Sequence, residues 1–211
     1  MKTSLIAAVL IIDLAACLTL PVATLAQAPL TAGKPARSQQ INITSDSQRG
    51  WVPSPQQMQQ VRLATEKYLS ALDEERYMAA YDLLTRRNRT ILPFDKFSSL
   101  QHDFYRQSGR LIRREILRLT WTKYPETFPA SGVYAAVDFA GRFENIDRQC
   151  GYIVLYQESV SQPFQVMRFE NNFLTNDMAA EMERQKSRSE LDQLWAKLAA
   201  NCPNYSPPTS P

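Results

Sequence analysis

Side-chain catalysis needs a nucleophile, a base or a metal held by several groups at once, and this chain offers few such sets. It has one histidine, His102, so a multi-histidine zinc site is excluded, and any Ser-His-Asp triad would rest on that imidazole alone. His102 lies between Gln101 and Asp103, on the polar side of a Phe97/Leu100/Phe104 stripe, which is a surface position. Neither Gly-x-Ser-x-Gly nor His-Glu-x-x-His occurs, and the six glycines form no phosphate loop. The expectation is therefore no metal and no cofactor. Asp138 is the one acid inside a strongly alternating strand, and in a cavity its burial would tune it as a general base. On an exposed face it would instead pair across strands with Arg118 or Arg142. Arg110, Arg113, Arg114 and Arg118 make the densest basic cluster, readable as an anion patch or as the exposed side of a strand. Asn42, Asn88 and Asn204 begin glycosylation sequons, which matter only in a eukaryotic secretory pathway.

The remaining reactive side chains are three cysteines, and their reading depends on compartment. Lys2 precedes an apolar run from Leu5 to Leu20 and a small-residue exit ending at Ala26-Gln27-Ala28. Those are the parts of a secretory signal. Asp13 and Pro21 make the run a poor membrane span. Leu14-Ala15-Ala16-Cys17 also has the pattern of a lipobox, although the residues after Cys17 stay apolar. Ordinary cleavage near Ala26 is the main reading, giving a periplasmic protein. Acylation of Cys17, giving an outer-membrane lipoprotein, is the alternative and the only one that involves a membrane. Either route leaves Cys150 and Cys202 as a pair, and in an oxidising compartment a pair is more often a disulfide than two thiols.

These residues need a scaffold, and 211 residues are enough for one domain with tails. Residues 1–26 read as the signal, 27–52 as a polar disordered linker, 53–202 as the domain and 203–211 as a proline-rich disordered tail. The domain opens at Ser54-Pro55, an N-cap followed by proline. Met58, Val61, Tyr68, Leu69 and Leu72 give one helical face. Tyr77, Ala80, Tyr81 and Leu84 give a second helix that Arg86-Arg87-Asn88-Arg89 ends. Phe94, Phe97, Leu100, Phe104 and Tyr105 give a third, stopped by Ser108-Gly109. The period then falls to two, with strands through Leu117–Thr122, Val133–Phe139, Tyr152–Tyr156 and Phe164–Phe169. A final helix over 177–200 carries the stripe Leu191, Leu194, Trp195 and Leu198. The fold class is α+β: three helices on a curved four-stranded antiparallel sheet, then a C-terminal amphipathic helix.

Ala64-x3-Tyr68-Leu69-x2-Leu72-Asp73-x3-Tyr77-x2-Ala80-Tyr81 resembles the opening helices of the domain of unknown function family 4019. Ser131-Gly132-Val133-Tyr134-Ala135-Ala136-Val137-Asp138-Phe139 is similar to that family's first sheet segment, and Cys150 to Val154 and Val166 to Glu170 continue in register. The resemblance runs from about Gln60 to Phe173. It implies a small exported bacterial domain with a cone-shaped sheet, like nuclear transport factor 2 and cystatin-like proteins, and it implies no activity.

Function is accordingly expected to be non-catalytic binding of an envelope protein or cell-envelope component, through the arginine cluster or the Trp195 helix. A homodimer stays open. The alternative is a small-molecule binding or isomerase-like protein whose cone cavity is lined by Tyr134, Asp138, Tyr152 and Tyr156. A formal charge of +3 is too weak to argue for nucleic acid in an exported chain.

Overall fold

The computed structural model describes residues 41–128 and 130–200, with side chains as far as Lys197. The signal with Cys17, most of the linker, Cys202 and the proline-rich tail lie outside the described residues. Among the described residues no helix is long and apolar enough to cross a membrane.

The architecture is α+β, but with six helices and a five-stranded mixed sheet in the order β1-β2-β3-β4-β5. A two-residue strand, β1 (Asn42–Ile43), comes first and lies parallel to β2 (Leu111–Lys123). Helix α1 (Pro55–Asp73) starts as expected, because Ser54 and Gln57 form a reciprocal capping box at 3.2 and 3.1 Å. Helices α2 (Tyr77–Tyr81), α3 (Arg86–Ile91) and α4 (Phe94–Ser108) follow. Gly109, at φ 69°, ends α4 in the left-handed region that favours glycine. Strands β2, β3 (Val133–Phe143), β4 (Ile146–Gln157) and β5 (Gln165–Thr175) form the expected antiparallel meander.

Three expectations are corrected. Residues 41–52, assigned by composition to the linker, carry β1 and bring Trp51 against the core. The arginines at 86–89 do not end the second helix. Leu83 and Thr85 pair with Val166 through backbone bonds of 2.8 and 2.9 Å, and this strand-like bridge breaks the chain before Thr85 caps α3. The last helix is two, α5 (Asn176–Gln185) and α6 (Arg188–Ala200), because Ser187 and Glu190 cap a fresh start.

The core lies between α1–α4 and one face of the sheet. Tyr68, Leu69 and Leu72 of α1, Ala80 of α2 and Phe97 of α4 pack on Val133, Ala135, Val137 and Phe139 of β3 and on Ile153 and Leu155 of β4. Every second residue of β3 and β4 therefore faces the helices, and the intervening set faces the other way. Register shifts after Leu111 and Ile116 mark irregularities in β2 that bend it locally.

Candidate functional site

The sequence-derived site residues fall mostly on the sheet face away from α1–α4. Tyr134, Asp138, Tyr152 and Tyr156 alternate with the helix-facing set, so they do not line a cavity between helices and sheet. Tyr134 and Tyr156 lie 5.0 Å apart and donate their hydroxyls to the carbonyls of Ala130 and Ser131, which ties the β2–β3 loop to the sheet. Asp138 accepts from Arg118 at 2.8 Å, the cross-strand pairing that its position suggested. His102 is exposed, with Asp103 4.0 Å away. Among the described residues no cluster of His, Cys, Asp and Glu could hold a metal ion.

The arginine cluster is divided rather than pooled. Arg110 pairs with Glu144, Arg113 with Glu115, Arg114 with Asp73 and Arg118 with Asp138. Each guanidinium thus meets its own carboxylate, which cancels most of the field that an anion patch would need. Trp195 is half-buried, with the Arg148 guanidinium 3.6 Å from its ring centroid. Its π-face is occupied within the domain. Cys150, 7% exposed, packs with Ala140 and Leu117 and is not a free thiol. Asn42 and Asn88 use their side-chain amides internally, donating to Leu119 and to Met167.

One half-buried ionisable group carried no sequence signal. Asp73, at the end of α1, accepts from Arg114 at 2.5 Å and from Tyr105 at 2.7 Å, and the Arg114 guanidinium also lies over Phe139 and Phe143. Burial pushes the Asp73 carboxyl above its ordinary range, outweighing Arg114 and Tyr105, which pull it down. Burial likewise pushes the Tyr105 phenol far up, helped by the Asp73 charge. The trio joins α1, α4 and β2, and its hydrogen bonds are directed at one another. It is built as a clamp.

A recess lies elsewhere, between α1, α3, α4 and β5. It has a volume of about 310 Å³ and is lined by Tyr68 of α1, Asn88 and Ile91 of α3, Phe97 and Leu100 of α4, and Phe169 of β5. Helix α3 has only six residues and cannot stand alone. It is held at three points: the Thr85–Val166 backbone bond, the Asn88 amide on β5, and the Tyr81 hydroxyl, which donates to the carbonyls of Arg89 and Leu92. Tyr68 is 0% exposed and packs edge-on against Phe169 at 5.4 Å, yet among the described residues its hydroxyl has no hydrogen-bond partner. Burial also raises its pKa well above the usual phenol range, so it stays a neutral O–H donor. Leaving such a group unsatisfied costs about 1–3 kcal/mol. A second recess of about 570 Å³ lies inside the curve of residues 43–52, a single loop, and draws on no other element.

Tyr68 was read from the sequence as a core aromatic, and its helical spacing supports no more than that. The recess needs α3 to sit across β5, a contact between residues 78 apart in the chain. Leu84, Asn88 and Val166 carried no sequence signal for it.

No curated protein and no solved structure matches the chain. A family model does match, over residues 64–167, from the middle of α1 to the start of β5. That stretch contains Tyr68, α3, α4 and the Asp73 clamp, and it matches the family described as Protein of unknown function (DUF4019).

Proposed function

We propose that the domain binds a small, mostly apolar molecule in the recess under α3 and α4, and that it does so without transforming it. The carrying observation is Tyr68: it lines an apolar recess, and its fully buried hydroxyl has no partner among the described residues. An acceptor oxygen on a bound molecule would satisfy it, and the volume lies near the lower end of the roughly 300–1,000 Å³ typical of small-molecule sites. Asp73 is engaged by Tyr105 and Arg114 and Asp138 by Arg118, and none of them lines the recess, so it takes no titrating partner from either. The signal-like residues 1–26 support work outside the cytoplasm, in the periplasm. In that compartment Cys150 pairs with Cys202 and fastens the C-terminal helix to the sheet.

The test is a thermal-shift screen of apolar esters, amides and ketones against the wild-type protein and Tyr68→Phe. Binding to the native state raises the melting temperature by mass action. Tyr68→Phe removes an unsatisfied hydroxyl, so the ligand-free variant melts at or above the wild-type temperature. Its affinity for any hit falls by about three- to tenfold, the loss of one neutral hydrogen bond. If no compound stabilises the wild type, the binding reading is wrong.

A further inference from the structure

The recess opens beside Ile91 and Leu100, which are 69% and 48% exposed although both line it. Four residues before Ile91 stands Arg87, and four before Leu100 stands Lys96. On a helix that spacing places the pairs on one face, one turn apart. Two cations therefore stand beside the two apolar residues that border the recess, one on each of the helices that flank it.

Like Arg49, Arg86 and Arg142, these two cations lack the ion pair that the other arginines of the domain make among the described residues. Most of its arginines have a carboxylate partner, including all four of the β2 cluster. Arg87 and Lys96 are exposed, and among the described residues neither is ion-paired. Asp95, next to Lys96, is turned about 100° around the helix axis and does not share its face. Apolar lining inside and uncompensated positive charge outside together describe a receptor for an amphiphile with a negative head.

We infer that the recess takes the single acyl chain of an anionic amphiphile, with its head group against Arg87 and Lys96. This rests on the binding reading above and adds the charge of the ligand to it. The chain lies along Phe97, Leu100 and Ile91, an acyl oxygen meets the Tyr68 hydroxyl, and the phosphate or carboxylate stays in water at the mouth, so no charge is buried. The ligand is a free monomer, because the recess is a pocket behind two helices rather than a flat basic surface.

Two probes separate this inference from the reading beneath it. Monolauroylglycerol and lauroyl lysophosphatidate share chain and ester and differ in the phosphate. Dissociation constants for the full-length protein are measured below the micelle concentration, at low and high salt. Lysophosphatidate binds about thirtyfold tighter at low salt, on the scale of a near-surface cation effect at each of two sites, and the advantage shrinks as salt screens it. The variant Arg87→Ala/Lys96→Ala loses the advantage and keeps its affinity for monolauroylglycerol, which also reports that it is folded. Equal affinities for the two probes would overturn the inference while leaving apolar binding intact. Binding of neither probe would overturn the inference and leave the apolar reading to the ligand screen above. Attachment to phosphatidylglycerol vesicles without uptake of monomeric lysophosphatidate would also overturn it, in favour of a membrane surface site.

Discussion

Asp73 shows how a single carboxylate can hold three elements together at an energetic cost. It draws a guanidinium from β2 and a phenol from α4 to the end of α1, and burial still wins over both in setting its pKa. Its folded-state pKa lies above the unfolded value, so the folded protein holds the proton more tightly. The stability that this group contributes is then fully present below about pH 4, the ordinary carboxylate value, and is lost as pH rises through the window above it. Glu144 and Glu190 are lowered by their hydrogen bonds and act in the opposite sense, with their contribution lost as pH falls. Asp73→Asn leaves those two untouched. The difference in urea midpoint between wild type and Asp73→Asn, measured from about pH 4 upward, should therefore fall as pH rises, because Glu144 and Glu190 act equally in both and cancel, whatever the constant offset between the two proteins. Parallel profiles would refute the assignment. Sequence pattern pointed to Asp138 instead, because an acid in an alternating strand stands out. The burial of Asp73 comes from Tyr105 and Arg114 folding over it, 32 and 41 residues away, and no local period carries that.

At the level of elements, the helices that stand on their own caps and stripes were legible, and those that depend on distant contacts were not. Helices α1 and α4 begin and end where Ser54-Pro55, Pro93 and Gly109 put them. The break between α5 and α6 was also written locally, as the Ser-x-x-Glu box at Ser187–Glu190, but the charged stretch around it hid a pattern that is common inside helices. Helix α3 was not legible, since Thr85 and Asn88 are fixed by β5. Helix α6 is the element with the least support. Leu191 is buried and Trp195 rests against Arg148, while the rest of its described surface is largely exposed. A bond from Cys150 to Cys202 closes about 50 residues and in the chain-entropy model is worth on the order of 4 kcal/mol. Cys150→Ser or Cys202→Ser should lower the melting temperature by about 10 °C for a domain of this size and admit protease near Arg184 to Arg188. The direct measurement is thiol titration of denatured, non-reduced protein. No free thiol is expected at Cys150 or Cys202, and two would exclude the bond.

For the molecule as a whole, the family match and the folded unit have different limits, and the difference bears on what a minimal domain needs. The match begins at residue 64 and ends at 167, leaving out β1, most of β5 and both C-terminal helices. Yet β1 and the turn after it are tied to the sheet: Thr44 bonds Trp121 at 3.0 Å and Thr122 at 2.9 Å, and Gln48 and Ser47 bond Lys123 at 2.8 and 3.0 Å. Trp51 then packs edge-on against Trp121, which is only 1% exposed, with Lys123 over its ring at 5.7 Å. The segment was read as linker because its composition is polar and a two-residue strand has no period to detect. Its attachment is supplied by β2, some 80 residues later. Removing residues 1–51 would expose Trp121 and the edge of β2, already flanked by the exposed Ile112 and Ile116, and an open apolar edge invites pairing with another chain. The truncated protein should show red-shifted tryptophan emission, a melting temperature lower by several degrees, and concentration-dependent association in sedimentation. A control lacking residues 1–40 keeps β1 and Trp51 and should behave as the intact chain does. A monodisperse truncation from Val52 with unchanged melting would mean that β1 and Trp51 decorate the sheet without closing it, and the family segment would then need less of its flank than the contacts at Trp121 imply.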